Sequence, residues 1–415
     1  MTNKATMPDK TDIEALIRDF DPATVDRDFL ENPYPTYHLL REHDPVHRCP
    51  DGSYFLTRYA DLNKVYRDTK RFSSDKKKEF KPKYGDGWLY THHTTSLVFN
   101  DPPLHTRVRR LIMGALTPKA LRALEPQLVS LIDSLLDRAE DREEIDLIED
   151  YAASIPIQVI GDLLGVPMED RGPLRYWSLT ILGALEPRIS PAQLEEGNKA
   201  VSDFRDYLIG LVAERRRKML DPEQDVLSRL IAGEADGEKL TEEELLQNCI
   251  FLLNAGHETT TNLIGNGVAC LLDYPDQMAR LRAEPGLIKT AVEEFLRFES
   301  SNQLGNRITT EEVELGGVVM PPETQITLCI GAANRDPEEF PDPDRLDITR
   351  SPNRHLAFAA GAHACAGMSL ARMEGQIAIG RIVERFGTIE RAGPFERGMR
   401  VRFRGFASYP LRVKP

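Results

Sequence analysis

Near the C-terminus, Phe358-Ala359-Ala360-Gly361-Ala362-His363-Ala364-Cys365-Ala366-Gly367 sets one cysteine among small residues just before a helical pattern. Glycines and alanines strip bulk from around the sulfur, so a large flat ligand can approach the backbone. The N–H groups and partial positive charge of a helix start favour a sulfur anion and lower the thiol pKa. Cys365 is therefore a candidate thiolate ligand rather than a core cysteine. A second candidate site is Ala255-Gly256-His257-Glu258-Thr259-Thr260. A glycine in mid-helix costs about 1 kcal/mol relative to alanine, so Gly256 needs a compensating reason. Close helix packing supplies one. A groove supplies the other: Ala255 and Gly256 leave space over a ligand face, and Thr259 turns its hydroxyl toward a local helix opening. Glu258 beside it is a titratable proton source. His257-Glu258 also begins a zinc-hydrolase pattern, but Thr261 occupies the place of the second histidine.

Helices must hold these groups. Thr241-Glu242-Glu243-Glu244 is a capping box, opening a helix that runs to about Leu272 and stops at Asp273-Tyr274-Pro275. Some thirty residues at ~1.5 Å each make a rod long enough to cross a domain. Leu128, Leu131, Ile132, Leu135 and Leu136 repeat at helical spacing, with Pro126 read as that helix's start. Asp101-Pro102-Pro103-Leu104-His105 opens another helix, which places His105 and Arg109 on one face. Glu294 and Arg297, three apart, also share one helix face. Strand-like pieces occur at Tyr54–Thr57, Arg307–Thr309, Val313–Val319 and Gln325–Leu328, near turn signals such as Gly316-Gly317 and Pro321-Pro322. There is no internal repeat and no Gly/Ser linker, so the 415 residues read as a single, mainly helical domain with small β-sheets.

Composition narrows the function. A formal net charge of −13 argues against general nucleic-acid binding. The five cysteines (Cys49, Cys249, Cys270, Cys329, Cys365) are scattered and never spaced C-x-x-C, which gives neither a disulfide framework nor an iron–sulfur or zinc pattern. A reducing cytoplasm is the expected compartment. The N-terminal MTNKATMPDKTD lacks an apolar signal core, and no run approaches the ~18 apolar residues of a membrane span.

Phe358-x-x-Gly361-x-His363-x-Cys365-x-Gly367 resembles the haem-binding loop of the cytochrome P450 family, and Ala255-Gly256-x-Glu258-Thr259 resembles its oxygen-activating motif. The resemblance covers nearly the whole chain, from Asn32-Pro33-Tyr34-Pro35 to the helix after Cys365, and is to the soluble bacterial type. It implies haem b (iron protoporphyrin IX) lying between the long helix and the helix after the cysteine loop, with Cys365 as axial thiolate and Phe358, Gly361, Ala255 and Gly256 against the cofactor. His105, Arg109, Arg307 and His363 match the family's propionate donors. Arg345 stands where the family completes a buried Glu-Arg-Arg network with Glu294 and Arg297, a structural role. Thr259, with Glu258 as relay, would deliver protons to bound dioxygen. Ala359 and Ala366 replace a frequent glycine and leucine, and Ser301 a frequent proline.

The implied activity is hydroxylation, dealkylation or epoxidation of a small apolar organic substrate by dioxygen. A thiolate ligand pushes electron density onto the iron and favours O–O cleavage. Electrons must come from a separate ferredoxin or flavodoxin with its NAD(P)H-dependent reductase, because Gly265-Asn266-Gly267 lies within the long helix and lacks the third glycine of a dinucleotide fingerprint. Arg107, Arg110 and Arg372 are candidate docking residues for that partner. By resemblance Trp88, Leu89, Leu97, Val98, Leu179 and Leu182 roof the substrate pocket, with Gln303 and Leu304 beside it. The lysines of Asp75–Lys83 would steer a carboxylate-bearing substrate, or form a solvated surface. His38, His43, His47, His92 and His93 read as surface or loop residues. Two alternatives stand: a peroxide-driven haem-thiolate peroxygenase, against which the Glu258-Thr259 pair argues, and a non-catalytic haem sensor or carrier.

Overall fold

The computed structural model describes residues 10–222, 225–235 and 238–415. The first nine residues, part of the N-terminal stretch read as lacking a signal core, lie outside the described residues. The chain forms a mainly helical fold with small sheets, as its patterning predicts.

The Glu242–Asp273 helix is its axis. Thr241 caps it by accepting from Glu244 N at 3.2 Å, while the Glu244 carboxylate takes Thr241 N at 2.8 Å, so two orphan amides are satisfied reciprocally. Pro275 follows and cannot continue it. Its 32 residues span about 48 Å, and it packs against the Ser154–Leu164, Leu174–Gly183, Pro191–Arg217 and Met368–Arg385 helices. Burial of Leu246, Ile250, Leu253, Ile264, Val268 and Leu271 around it builds the main core.

The helix carrying Leu128 to Leu136 starts earlier than its sequence suggests. Thr117 caps it, Pro118 occupies the first turn, and the helix runs Pro118–Arg142 with Pro126 inside. The apolar stripe continues through the proline, since Leu121 is buried as well as Leu128, Ile132 and Leu135, and that packing offsets the lost backbone bond.

The Tyr54–Leu56, Gln325–Cys329 and Leu304–Thr309 strands sit centrally in a five-stranded sheet bounded by Val46–Arg48 and Phe72–Ser73. The Val313–Val319 piece is a hairpin of Val313–Leu315 and Val318–Met320. Its two turn residues, Gly316 (φ +56°) and Gly317 (φ +81°), both take the left-handed conformation that such tight hairpins demand. Among the described residues no helix is long and apolar enough to cross a membrane.

Candidate functional site

Cys365 sits just before the Met368–Arg385 helix. Its N–H donates to Phe358 O at 2.9 Å, closing the loop on itself. Gly361 has φ +70°, and a Cβ there would fall 2.4 Å from the Tyr66 carbonyl. Its glycine is therefore dictated by close approach to the Tyr59–Arg67 helix; it does not line the cavity above the loop. Among the described residues Cys365 is the one cysteine that is not buried. Burial nonetheless raises its thiol, against the Gly367 N–H and the charges of Arg109 and Arg372. The helix start alone does not make it an anion; the charge of a bound metal would have to complete that step. The Phe358 ring lies 4.8 Å from the guanidinium of Arg372, which itself forks onto Glu293 at 2.7 and 2.8 Å.

Under the loop, Glu294 and Arg297 are both fully buried and paired through two 2.8 Å bonds. The second arginine is Arg350, not Arg345. Arg350 Nε lies 3.2 and 3.1 Å from the Glu294 oxygens, and Asn353 and the Asp347 N–H complete the carboxylate's shell. The Arg345 side chain is exposed; the residue contributes its carbonyl, to Arg297 and Arg350 at 3.3 Å each. The strand of chain between them turns through Arg345, so its backbone faces inward and its side chain outward. The buried charge is thus shared by two guanidiniums and fixes the segment leading to Cys365.

One cavity of about 350 Å³ joins the sequence-predicted groups. Cys365, Phe358, Ala255, Gly256, Thr259, His105, Arg109, Arg307 and His363 all line it. The His105 and His363 rings lie with centroids 3.9 Å apart, tilted by 31°. His105 Nε2, His363 Nε2 and Arg307 Nε are buried without a partner, although a buried donor left unmade is costly. Such orphaned donors, together with Arg109, are what the two carboxylates of a haem edge require. Burial and the neighbouring arginines hold His105 at about 4 and His363 at about 3. The donor set and the cysteine therefore fit a flat, dianionic, thiolate-ligated cofactor.

Across the long helix, Thr259 Oγ1 donates to Ala255 O at 2.9 Å. The helix is continuous there, without the expected opening. A Cβ on Gly256 would fall 2.6 Å from Ile160 Cδ1, so this glycine packs closely against the Ser154–Leu164 helix while it also lines the cavity beside the more exposed Ala255. Glu258 is buried and pairs with Arg400, whose Nη1 lies 2.8 Å from both carboxylate oxygens. Burial lifts Glu258 to about 7, with Arg400 acting in the opposite sense.

On the substrate side Leu97, Val98, Leu182 and Leu304 line the cavity, whereas Trp88, Leu89, Leu179 and Gln303 do not. The Trp88–Thr95 helix reaches the cavity only with its last turn. One turn earlier, Leu89 meets Gly197 and Trp88 stacks under Arg205. Leu179 gives its carbonyl to Arg400, and Gln303 turns its amide to Ser300 O. His92 and His93 are buried in that last turn and line the cavity, contrary to their surface reading. His92 Nδ1 bonds Gln247 and its Nε2 meets Asn254. His47 is buried too, between Asp44 and Phe20 O. Within the lysine run, Lys76 pairs with Glu79, Lys77 with Asp75, Lys78 with Glu323 and Lys81 with Asp86, which removes most of its steering charge. Of the candidate docking arginines, Arg107 is half-buried on Glu244 and Arg110 is exposed. Arg350, Arg400 and Arg402 were missed. The alternation Arg400-x-Arg402-x-Arg404 is the signal for the last two, a period of two that directs side chains to one side of an extended segment; Arg350 has no such local signal.

A family model described as "Cytochrome P450" matches residues 185–391. The "Biotin biosynthesis cytochrome P450" of Bacillus subtilis is 38% identical, over 89% of this chain and 93% of that protein. The "Vitamin D(3) 25-hydroxylase" of Pseudonocardia autotrophica is 42% identical, over 85% of this chain and 86% of that protein. Among solved structures, P450BioI in complex with an acyl carrier protein ligated to hexadec-9Z-enoic acid superimposes with a TM-score of 0.88 at 36% identity, covering 93% of this chain and all of that one. CalO2 does so at 0.89 and 32%, covering 96% of this chain. Likeness of this extent, in sequence and in fold alike, leaves one conclusion about a cavity that joins Cys365 to a set of orphaned nitrogen donors: the chain belongs to the cytochrome P450 family of haem-thiolate monooxygenases.

Proposed function

We propose that this monooxygenase uses Cys365 as the axial thiolate of haem b and hydroxylates, dealkylates or epoxidises a small apolar organic substrate. Two electrons would come from a separate ferredoxin or flavodoxin served by an NAD(P)H-dependent reductase. The observation that carries the reading is the single cavity shared by Cys365, the Ala255–Thr259 turn and three orphaned donors. When bound, haem supplies dioxygen activation at a thiolate-ligated iron. The chain supplies the rest. His105, Arg109, Arg307 and His363 hold the cofactor edge. Thr259 presents a hydroxyl to the cavity, and Glu258, held near neutrality by burial, takes up and passes on a proton behind it. Leu97, Val98, Leu182, Leu252 and Leu304 exclude water and seat an apolar body. Retention of the acid and hydroxyl pair favours dioxygen over peroxide as oxidant.

The ferrous carbon monoxide complex tests the ligand: a strongly red-shifted Soret band is expected in the wild type and its loss in Cys365→Ala, while an unchanged band in the variant sinks the assignment. Product formation driven by reductant, ferredoxin and reductase, compared with product formation driven by peroxide, tests the oxidant.

A further inference from the structure

Arg402 is a cation in the cavity wall for which neither the cofactor edge nor the proton path has a use. It lines the cavity with Ser301, Asn302, Leu304 and Phe403. Its backbone is fixed on both sides: Gln303 N donates to Arg402 O at 2.8 Å, Asn302 bridges Phe403, and Glu186 Oε1 accepts from Arg402 N at 3.3 Å. Its guanidinium donates from Nε to Leu185 O at 3.3 Å, from Nη1 to Leu304 O at 2.9 Å and from Nη2 to the Asn306 side chain. Three neutral oxygens thus orient the group without neutralising it, and two of its five N–H donors are left over. Among the described residues no carboxylate forms an ion pair with it. Glu186 and Glu79 lie within electrostatic reach; the Glu186 carboxylate is held on the Val401 and Arg402 N–H groups, and Glu79 is paired with Lys76.

A second cation stands close. Lys83 Nζ donates to the Glu186 carbonyl at 2.5 Å and likewise forms no ion pair among the described residues; the charge of Arg402, after burial, helps to hold it at about 8. Arg402 and Lys83, both half-buried, face Glu186 and a Glu79 already paired with Lys76, an excess of positive charge that a bound anion would offset. The haem edge does not need them. Its two negative charges already face His105, Arg109, Arg307 and His363, whereas the Arg402 guanidinium is held by Leu185, Leu304 and Asn306.

We propose that Arg402, supported by Lys83, anchors the carboxylate of an apolar organic acid, so that the substrate is a free acid rather than a neutral ester, amide or thioester. This rests on the monooxygenase reading and names its substrate class. A fixed guanidinium with two free N–H groups suits a carboxylate, which accepts both at once.

The test uses the haem-loaded ferric protein and follows the spectral shift on binding decanoic, dodecanoic, hexadecanoic and abietic acids, each beside its methyl ester. At least one acid is expected to bind about tenfold to a hundredfold tighter than its ester, the range of a charge-assisted hydrogen bond. Arg402→Met, of similar length, should abolish that preference while leaving ester binding unchanged, and Arg402→Lys should restore part of it. No acid preference in the wild type overturns the proposal, as does a preference that survives in Arg402→Met. Should Arg402→Met fail to retain haem, with Arg402→Lys alike, the residue belongs to the cofactor edge and the proposal also falls. Failure on any of these arms with an intact carbon monoxide spectrum in the wild type leaves the monooxygenase reading standing.

Discussion

Arg400 Nη1 lies 2.8 Å from each oxygen of Glu258, and its Nη2 donates to Leu179 O at 3.1 Å. The C-terminal segment, the long helix and the Leu174–Gly183 helix therefore meet at one buried carboxylate behind Thr259. Two opposed effects act on that carboxylate. Burial disfavours its charge and Arg400 favours it, leaving it at about 7. An acid poised there can both hold and release a proton at neutral pH.

The pairing fixes the sign of a pH effect. Above about 7 Glu258 is ionised and held on Arg400, so the yield of product per reductant consumed is expected to fall as pH rises through that value. Arg400→Gln removes the interaction that lowers the pKa, and the falling limb should move to higher pH. Glu258→Gln should remove the limb altogether. Product and NADH measured across pH in the three proteins check this, and a limb that stays in place in Arg400→Gln excludes Glu258 as its origin.

Thr259 presents its hydroxyl from the same turn, bonded to Ala255 O at 2.9 Å. Since that bond closes within the helix, Thr259→Ala should keep the fold, the haem and the carbon monoxide spectrum. Product yield should drop at least about tenfold while reductant consumption continues and hydrogen peroxide accumulates. Full coupling in this variant removes Thr259 from proton delivery.

The Glu294 network separates two arginines that sequence position alone confuses. Arg350→Ala takes away a charged partner of a fully buried carboxylate but leaves Arg297 in place, so a loss of about 1.5–3 kcal/mol is expected. Arg345→Ala removes only an exposed side chain and should stay within about 0.5 kcal/mol of the wild type. Chemical denaturation of the haem-loaded proteins distinguishes them, and equal losses contradict the assignment of Arg350.

The reach of the sequence followed the range of the forces involved. The long helix was legible because local rules specify it, a capping box and a proline stop, while Cys365 and Thr259 stood out through the small residues beside them and the family motifs they resemble. The network's second arginine lies five residues beyond its expected place because the choice between Arg345 and Arg350 depends on which way an irregular segment turns over Glu294. For Gly256 close helix packing is one of the two readings the sequence allows, and the structure shows that packing; Gly361 answers to a close approach that the loop's own pattern does not contain. Both answer to neighbours distant in sequence, Ile160 and Tyr66, which no local pattern reveals. The cavity's distal wall was hardest. His92 and His93 reach it from one stretch and Arg402 from another far along the chain, and polar residues in a sequence carry no sign of whether they face water or a cavity.

Ala359 offers a test of the loop itself. It stands where the family often has glycine, and its φ of +55° lies in the left-handed region that a Cβ disfavours. Its N–H still donates to Leu356 O at 2.8 Å, so the turn leading to Cys365 is held in this conformation by its own hydrogen bond. Ala359→Gly removes the Cβ clash but also frees the unfolded chain, two effects of opposite sign. The clash, about 1–2 kcal/mol, exceeds the entropy gain of about 0.4–1 kcal/mol. A net stabilisation of several tenths of a kcal/mol is therefore expected, with an unchanged carbon monoxide spectrum. A destabilised variant in denaturant unfolding would show that the alanine methyl contributes packing to the loop that outweighs its backbone cost.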